Sequence, residues 1–217
     1  MEIKYFGHSS FFLKGKTATV VTDPFDPQMV GLKFPKIEAS VVTISHQHQD
    51  HNCSDLVGGN PLIVNIPGEY EKQDARITGF STYHDKKQGE ERGRNTLFKI
   101  EMDGVSILHC GDLGHILNDE LIEEVNGVDV LLIPIGGFYT IDADEALAVA
   151  RKIEPSIVIP MHYNTPKLNQ QGFGKLAPVS TFLTKIGAEP MEPVKKLVVK
   201  KEELTEEMKV VVMEINN

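Results

Sequence analysis

Residues 43–53 read TISHQHQDHNC and place three histidines and an aspartate within the six positions from 46 to 51. Imidazole nitrogens and carboxylate oxygens are ligands for zinc, manganese or iron, and such sites need no thiolate. A solvated polar loop is the bland reading of any one of these histidines. The pattern H-x-H-x-D-H directly after an apolar run makes a metal site the stronger reading. In an extended chain, positions two apart share a face, so His46, His48 and Asp50 can point the same way where a strand ends. His51 breaks that alternation and has to be redirected as the chain turns. Four ligands then converge from one short stretch, two for each of two neighbouring ions.

Six residues cannot complete two coordination spheres, so other strand ends must contribute. STYHD (81–85) ends an apolar stretch with His84, LHCGDLGH (108–115) carries Asp112, and VIPMHYN (158–164) carries His162. His109 lies in VSILHCG with parity opposite to Asp112, so a regular strand would face it away from the site, as a packed histidine. Cys53 and Cys110 flank these segments and read as small buried apolar residues.

The assembled pieces resemble the metallo-β-lactamase superfamily, whose pattern is an early Asp, then H-x-H-x-D-H, then His, Asp and His. GHSS, IPGEYE, RGRNT, HCGDLGH, PIGGFYTID and IPMHY, spread over residues 7–163, are similar to its ascorbate-6-phosphate-lactonase-like branch of zinc-dependent hydrolases. The resemblance implies that His46, His48 and His84 hold one metal ion and that Asp50, His51 and His162 hold a second. Asp112 would bridge them, and Asp23 of VVTDPF would orient a ligand imidazole through its other nitrogen. Two divalent ions, Zn2+ first and Mn2+ as the alternative, are the implied cofactors. Two dications carry roughly four positive charges, and two carboxylates with a bridging hydroxide remove three, which leaves an electrophilic centre. Such a pair lowers the pKa of the bridging water and polarises a substrate oxygen.

Around that core stand further candidates. His115, just past Asp112, is either a turn residue or, with Asp50 and Asp112, part of the catalytic set. His8, in the turn after the first strand, resembles the branch's GH element and would line the site mouth behind the ligands, or else cap the turn or pack. The loop DKKQGEERGR (85–94) concentrates Lys86, Lys87, Arg92 and Arg94, diluted by Glu90 and Glu91. Arg92 and Arg94 are candidates for an anionic substrate group. Tyr139, after the glycines of PIGGFYTID, is the other candidate substrate contact.

These residues need strands to position them. EIKYF (2–6), SSFFLKG (9–15), TATVVTD (17–23) and ASVVTIS (39–45) read as strands punctuated by Gly, Pro and Asp, with a loop over 24–38. NCSDLVGG (52–59) is at most a short helix. NPLIVNI (60–66), DARITGFSTYH (74–84), NTLFKIEM (95–102) and VSILHCG (105–111) are strands, the last two joined at Asp103-Gly104 as a hairpin. Helices follow at 118–125, at 142–153 with Asp142 and Glu145 as a capping box, and at 177–187. VDVLLIPI (128–135) and PSIVIP (155–160) are buried strands, and KLVVKK and MKVVVMEI close the chain as strands. Strands early, then helices alternating with strands, predict an α/β sandwich; the resemblance makes it a four-layer αββα sandwich in one domain over 1–217.

Composition bounds the partners. The chain has 217 residues, 41% apolar and 24% charged, with two cysteines and net charge −9. No disulfide framework is expected. The negative balance disfavours a nucleic-acid backbone, no run reaches the ~18 apolar residues of a membrane span, and MEIKYFGHSS lacks the apolar core of a signal peptide. The expectation is a cytoplasmic protein with a small-molecule substrate, a homo-oligomer remaining open. The leading reading is a dinuclear metal-dependent hydrolase that uses a bridging hydroxide on a small anionic ester, lactone or phosphodiester. The alternative is a non-catalytic metal-binding or sensor protein that retains the fold. A secreted β-lactamase, a nuclease with a basic arm and a flavin-linked diiron oxidoreductase each need features the sequence does not show.

Overall fold

The computed structural model describes residues 1–188 and 191–216. The chain opens with three antiparallel strands, β1 (Glu2–Gly7), β2 (Ser10–Lys14) and β3 (Thr19–Thr22). A one-turn helix α1 (Pro27–Val30) and β4 (Ile37–Glu38) lead to β5 (Val41–Thr43), then β6 (Val57–Gly58) and β7 (Leu62–Val64). The long antiparallel run β8 (Gly68–Lys72), β9 (Ala75–Tyr83), β10 (Arg94–Met102) and β11 (Val105–His109) follows. Then come α2 (Asp119–Glu124), β12 (Val130–Pro134), α3 (Ala143–Ile153) and β13 (Ile157–Met161). The chain closes with α4 (Gln170–Phe173), α5 (Val179–Ile186), β14 (Leu197–Val198) and β15 (Lys209–Val210).

The strands form a six-stranded sheet, ordered β14-β1-β2-β3-β5-β7, and a seven-stranded sheet, ordered β15-β13-β12-β11-β10-β9-β8, while β4 and β6 pair with each other apart from both. Side-chain alternation explains how they stack. Phe11 and Leu13 of β2, Val20 of β3 and Val41 of β5 join Ile77, Phe98, Ile100 and Ile107 of the second sheet in one core. Their neighbours Phe12, Val21 and Val42 point to the opposite face and pack with Val30, Leu168 and Phe173. Each fully buried large side chain contributes roughly 1.5–3 kcal/mol. Helix α3 carries the predicted capping box, in which Asp142 accepts from Glu145 N and the Glu145 carboxylate accepts from Asp142 N. It buries Ala143, Ala146, Leu147, Val149 and Ala150 and packs on β12 and α5. The result is the expected layered α/β sandwich, with the thinner outer layer on the first sheet.

Several segments depart from the sequence reading, among them the short helix α4 and the strand β6. The stretch 24–38 is not all loop: Asp26 caps α1, Pro27 supplies its fixed φ, and Gly31 closes it in the left-handed region,. Strand β8 was not anticipated, because GEYEK is mostly exposed and lacks an apolar alternation. The closing strands shrink to two residues each at the sheet edges.

Candidate metal centre

Strand direction brings the candidates together. β1, β3 and β5 run the same way, since β2 is antiparallel to β1 and β3 while β3 and β5 are parallel. β9 and β11 are both antiparallel to β10, and β12 and β13 continue parallel to β11. Six strands thus end at one rim, delivering His8, Asp23, the 46–51 run, His84, Asp112 and His162. His8, Asp23 and His162 sit at positive φ of 56°, 39° and 52°, a backbone region sparsely populated by non-glycine residues. Such strain at a cluster of polar side chains is a mark of a functional site.

The ligand atoms gather in two groups. His46, His48 and His84 form one, and His8, Asp50, His51 and His162 the other, with the atoms of each group within 4.8 Å of one another. Asp112 lies between them. Its Oδ2 is 3.2 Å from both His84 Nε2 and His162 Nε2, 3.4 Å from His51 Nε2 and 4.0 Å from His46 Nε2. His8, expected behind the ligands, is in the second group, and its Nε2 donates to Asp50 Oδ2 at 3.0 Å.

Asp23 is buried beneath both groups. Its Oδ2 accepts from His51 Nδ1 at 2.8 Å and from Ser45 Oγ at 2.6 Å, and its Oδ1 accepts from Ser45 N at 2.7 Å. Because the Ser45 hydroxyl proton is committed to Asp23, His46 Nδ1 is the donor in its 3.0 Å contact with Ser45 Oγ. One carboxylate therefore fixes the tautomers of two imidazoles, turning the Nε2 of each toward the centre. Ser45 is a link that the sequence reading missed, as is Asn95. The Asn95 side chain donates to Thr82 Oγ1 and Cys110 O and accepts from Asp112 N at 2.9 Å, which holds the Asp112 turn. Gly111 packs so closely on Ser45 and Asn95 that a Cβ there would collide with both.

The cluster fits a cation. His46, His51 and His162 each present a buried Nε2 with no hydrogen-bond partner, and Asp112 Oδ1 has none. Buried polar atoms in folded chains are normally paired, so unpaired acceptors converging on one volume call for an electrophile. Protonation preferences agree. Burial, then His51, pushes His46 down; burial, then His84, pushes His48 down; burial, then His162, takes His8 to about 4. Burial acts to raise Asp112, but His162, His51 and His84 outweigh it and hold the carboxyl well below its usual range. His51 is the exception: burial opposes its charge, and Asp112, Asp50 and Asp23 overcome that and raise it.

A cavity of about 510 Å³ opens above this cluster, walled by Met29, Gln47, Gln49, Arg92, Tyr139 and Phe173. Arg92 lies over the Tyr139 ring, with Cζ 5.9 Å from its centroid. The Tyr139 hydroxyl donates to Gly172 O at 2.9 Å. Asp85, which the sequence reading passed over, builds the Arg92 loop. Its Oδ1 accepts from Lys87 N and Gly89 N, and its Oδ2 from Glu91 N and Arg92 N, at 2.7–3.1 Å. Burial acts to raise the Asp85 pKa, and the N–H groups of Arg92, Gly89, Lys87 and Glu91 outweigh it, taking it to about 2. A lowered folded-state value stabilises the fold above the unfolded pKa of about 3.9 and loses that stabilisation as pH falls toward 2. Asp85→Asn is therefore expected to flatten the acid limb of unfolding between those values, checked by urea melts at stepped pH. An unchanged limb would show that the N–H cradle does not stabilise the carboxylate.

One expectation is corrected. His115 is turned away from the cavity. The turn before it packs on the His84–Asp85 backbone so tightly that a Cβ at Gly114 would collide there. The His115 ring then donates from Nδ1 to Ile116 O and accepts at Nε2 from Tyr83 N, lining a separate recess. Arg94 is not at this cavity either; as the first residue of β10 it borders a neighbouring recess with Ile66. His109 is packed as expected, fully buried, its Nε2 donating to Ser9 O at 2.8 Å. His84→Ala removes a candidate ligand itself and is accordingly expected to weaken metal retention by more than about a hundredfold, the upper end of what losing only a ligand's outer partner costs, read by competition with a chelating dye. His109→Ala should instead lower stability by about 1–3 kcal/mol with metal content intact. The reverse pattern would contradict the facing of these two strands.

The β-lactamase superfamily domain matches residues 2–162. A UPF0173 metal-dependent hydrolase from Thermoplasma acidophilum is 31% identical over 191 residues, covering 76% of this chain and 84% of that protein. This chain belongs to the metallo-β-lactamase superfamily. Within the superfamily it falls among the metal-dependent hydrolases. A candidate zinc-dependent hydrolase of the superfamily from Thermotoga maritima superposes with TM-score 0.80 and 40% identity, over 98% of this chain and 97% of that one. Igni18, a metallo hydrolase from Ignicoccus hospitalis, shares the fold at TM-score 0.68 and 22% identity, over 90% and 97% of the two chains. No helix among the described residues is long and apolar enough to cross a membrane.

Proposed function

We propose that this superfamily member is a hydrolase with a dinuclear centre that cleaves a small anionic ester, lactone or phosphodiester. The observation that carries the reading is the set of unpaired Nε2 atoms of His46, His51 and His162 around Asp112. His46, His48 and His84 would hold one ion, Asp50, His51 and His162 the other, and Asp112 both, with Zn2+ the first expectation and Mn2+ the alternative. When bound, the ions supply Lewis acidity and activate water at neutral pH. The protein's own groups do the rest. Asp23 keeps His46 and His51 in the ligating tautomer, and His8 holds the Asp50 carboxylate in place. Met29, Phe173 and Tyr139 give the cavity apolar walls that restrict bulk water, and Arg92 faces it with a guanidinium suited to an anionic group,.

Elemental analysis of protein purified without chelators and then reconstituted is expected to give two ions per chain. Panels of phosphodiesters, lactones, esters and thioesters, run with Zn2+ and Mn2+ separately, should then give turnover. One ion or none would remove the dinuclear reading. Two ions with no turnover on any panel would return the chain to the non-catalytic metal-binding class.

A further inference from the structure

Beside the main cavity lies a second recess of about 380 Å³. Its floor is Ser45–His48, one wall is Asn65–Pro67 after β7, and the other is Arg92–Thr96 entering β10. Gln47, His48 and Arg92 border both recesses, so the two meet over the first group of candidate ligands. Their chemistry differs. The main cavity is bordered by Asp50 and Asp112, whereas two arginines and no carboxylate border the second. In a chain of net charge −9, an acid-free recess with two guanidinium groups is a local reversal of sign. The two lysines of the loop are spoken for, Lys86 pairing with Glu145 at 2.6 Å and Lys87 with Glu91 at 2.7 Å, while Arg92, 3.6 Å from an already paired Glu91, is only partly neutralised. Among the described residues no ion pair or side-chain hydrogen bond engages the Arg94 guanidinium. Ile66, 61% exposed, gives the same recess an apolar edge.

We propose that this second recess is a substrate subsite for an anionic group, a carboxylate or phosphate, carried on a short apolar stem. The substrate then spans both recesses, with its scissile bond at their junction beside His48. This rests on the hydrolase reading above and adds where the charge goes. Arg94 offers a planar fork matched to either anion, Arg92 flanks it, and Ile66 with Pro67 covers the stem.

The test uses the metal-reconstituted protein and a matched pair of aryl esters, one ending in a carboxylate and the other in its carboxamide. Arg94→Gln is expected to lower the charged-to-neutral ratio of kcat/KM by about ten- to a hundredfold, through KM. Ile66→Asp, which sets a carboxylate in the recess, should lower it too. Lys87→Gln removes one charge from the same loop, borders neither recess, and should leave the ratio unchanged. In parallel, calorimetry measures binding of the carboxylate-ended compound with its ester replaced by an amide, and of a phosphate-ended analogue, which tells the two anions apart. The proposal is overturned if Arg94→Gln and Lys87→Gln shift the ratio equally, or if Arg94→Gln changes neither ratio nor binding. Arg94-dependent binding without turnover of either ester would leave the subsite standing and remove esters as the bond cleaved; the hydrolase reading falls only if the lactone, phosphodiester and thioester panels fail as well.

Discussion

Asp112→Ala is expected to abolish turnover and to leave one ion or fewer per chain after reconstitution. The reason is its position: Oδ2 lies within 3.2–3.4 Å of nitrogens from both ligand groups, through His84, His162 and His51. Without it, four imidazole edges face one another with no anion between them, and two dications there would repel unscreened. Losing a single donor elsewhere weakens one site; losing this one weakens two, so a drop of more than about a hundredfold, the upper end for losing a ligand's outer partner, is expected at each. Asp112→Asn is the companion variant, similar in shape but neutral, and should retain the fold while still losing the second ion. Both are read by elemental analysis and by the turnover of whichever ester the wild type hydrolyses. Two tightly held ions in Asp112→Ala would show that the carboxylate only packs.

The second large effect is expected at Asp23, which never faces the cavity. Asp23→Ala strips the acceptor from Ser45 N, Ser45 Oγ and His51 Nδ1, all buried. Leaving these donors unmatched should cost about 3–5 kcal/mol in the metal-free protein, read by denaturant unfolding. It also frees His46 and His51 to rotate or change tautomer, so metal affinity should fall roughly 10–100-fold. Asp23→Asn keeps one oxygen acceptor, and asparagine tolerates the positive φ of 39° there,; it should lie between wild type and alanine in both measurements. Wild-type stability in Asp23→Ala would mean that the relay through Ser45 holds nothing in place.

What could be read from the sequence was whatever a strand's two-residue period or a local cap encodes. The 46–51 run, the opposite facings of His84 and His109, the α3 capping box and the Asp103-Gly104 hairpin, with φ of 54° and 75°, are all of that kind. What could not be read depends on approach between distant segments. Ser45 acquires its role only when β3 and β5 lie side by side, and Asn95 only when β10 brings it under the Asp112 turn. His115 stands next to candidate ligands in the chain, but Gly114 packing turns it outward, and entry into β10 places Arg94 in the recess beside the main cavity rather than in the cavity itself. The one-turn helices α1 and α4 are too short to show a stripe.

The candidate ligands come from both leaves of the sandwich: His8 and the 46–51 run follow strands of the first sheet, and His84, Asp112 and His162 follow strands of the second. Ions held between them would act as a clasp at one rim of the inter-sheet core. The leaves could not splay there without releasing metal, so occupancy and unfolding would be thermodynamically linked. At a hundredfold excess over its dissociation constant, one ion would add about 2.7 kcal/mol to the closed form. The concentration of free metal around the protein would then set its lifetime against proteases as well as its chemistry.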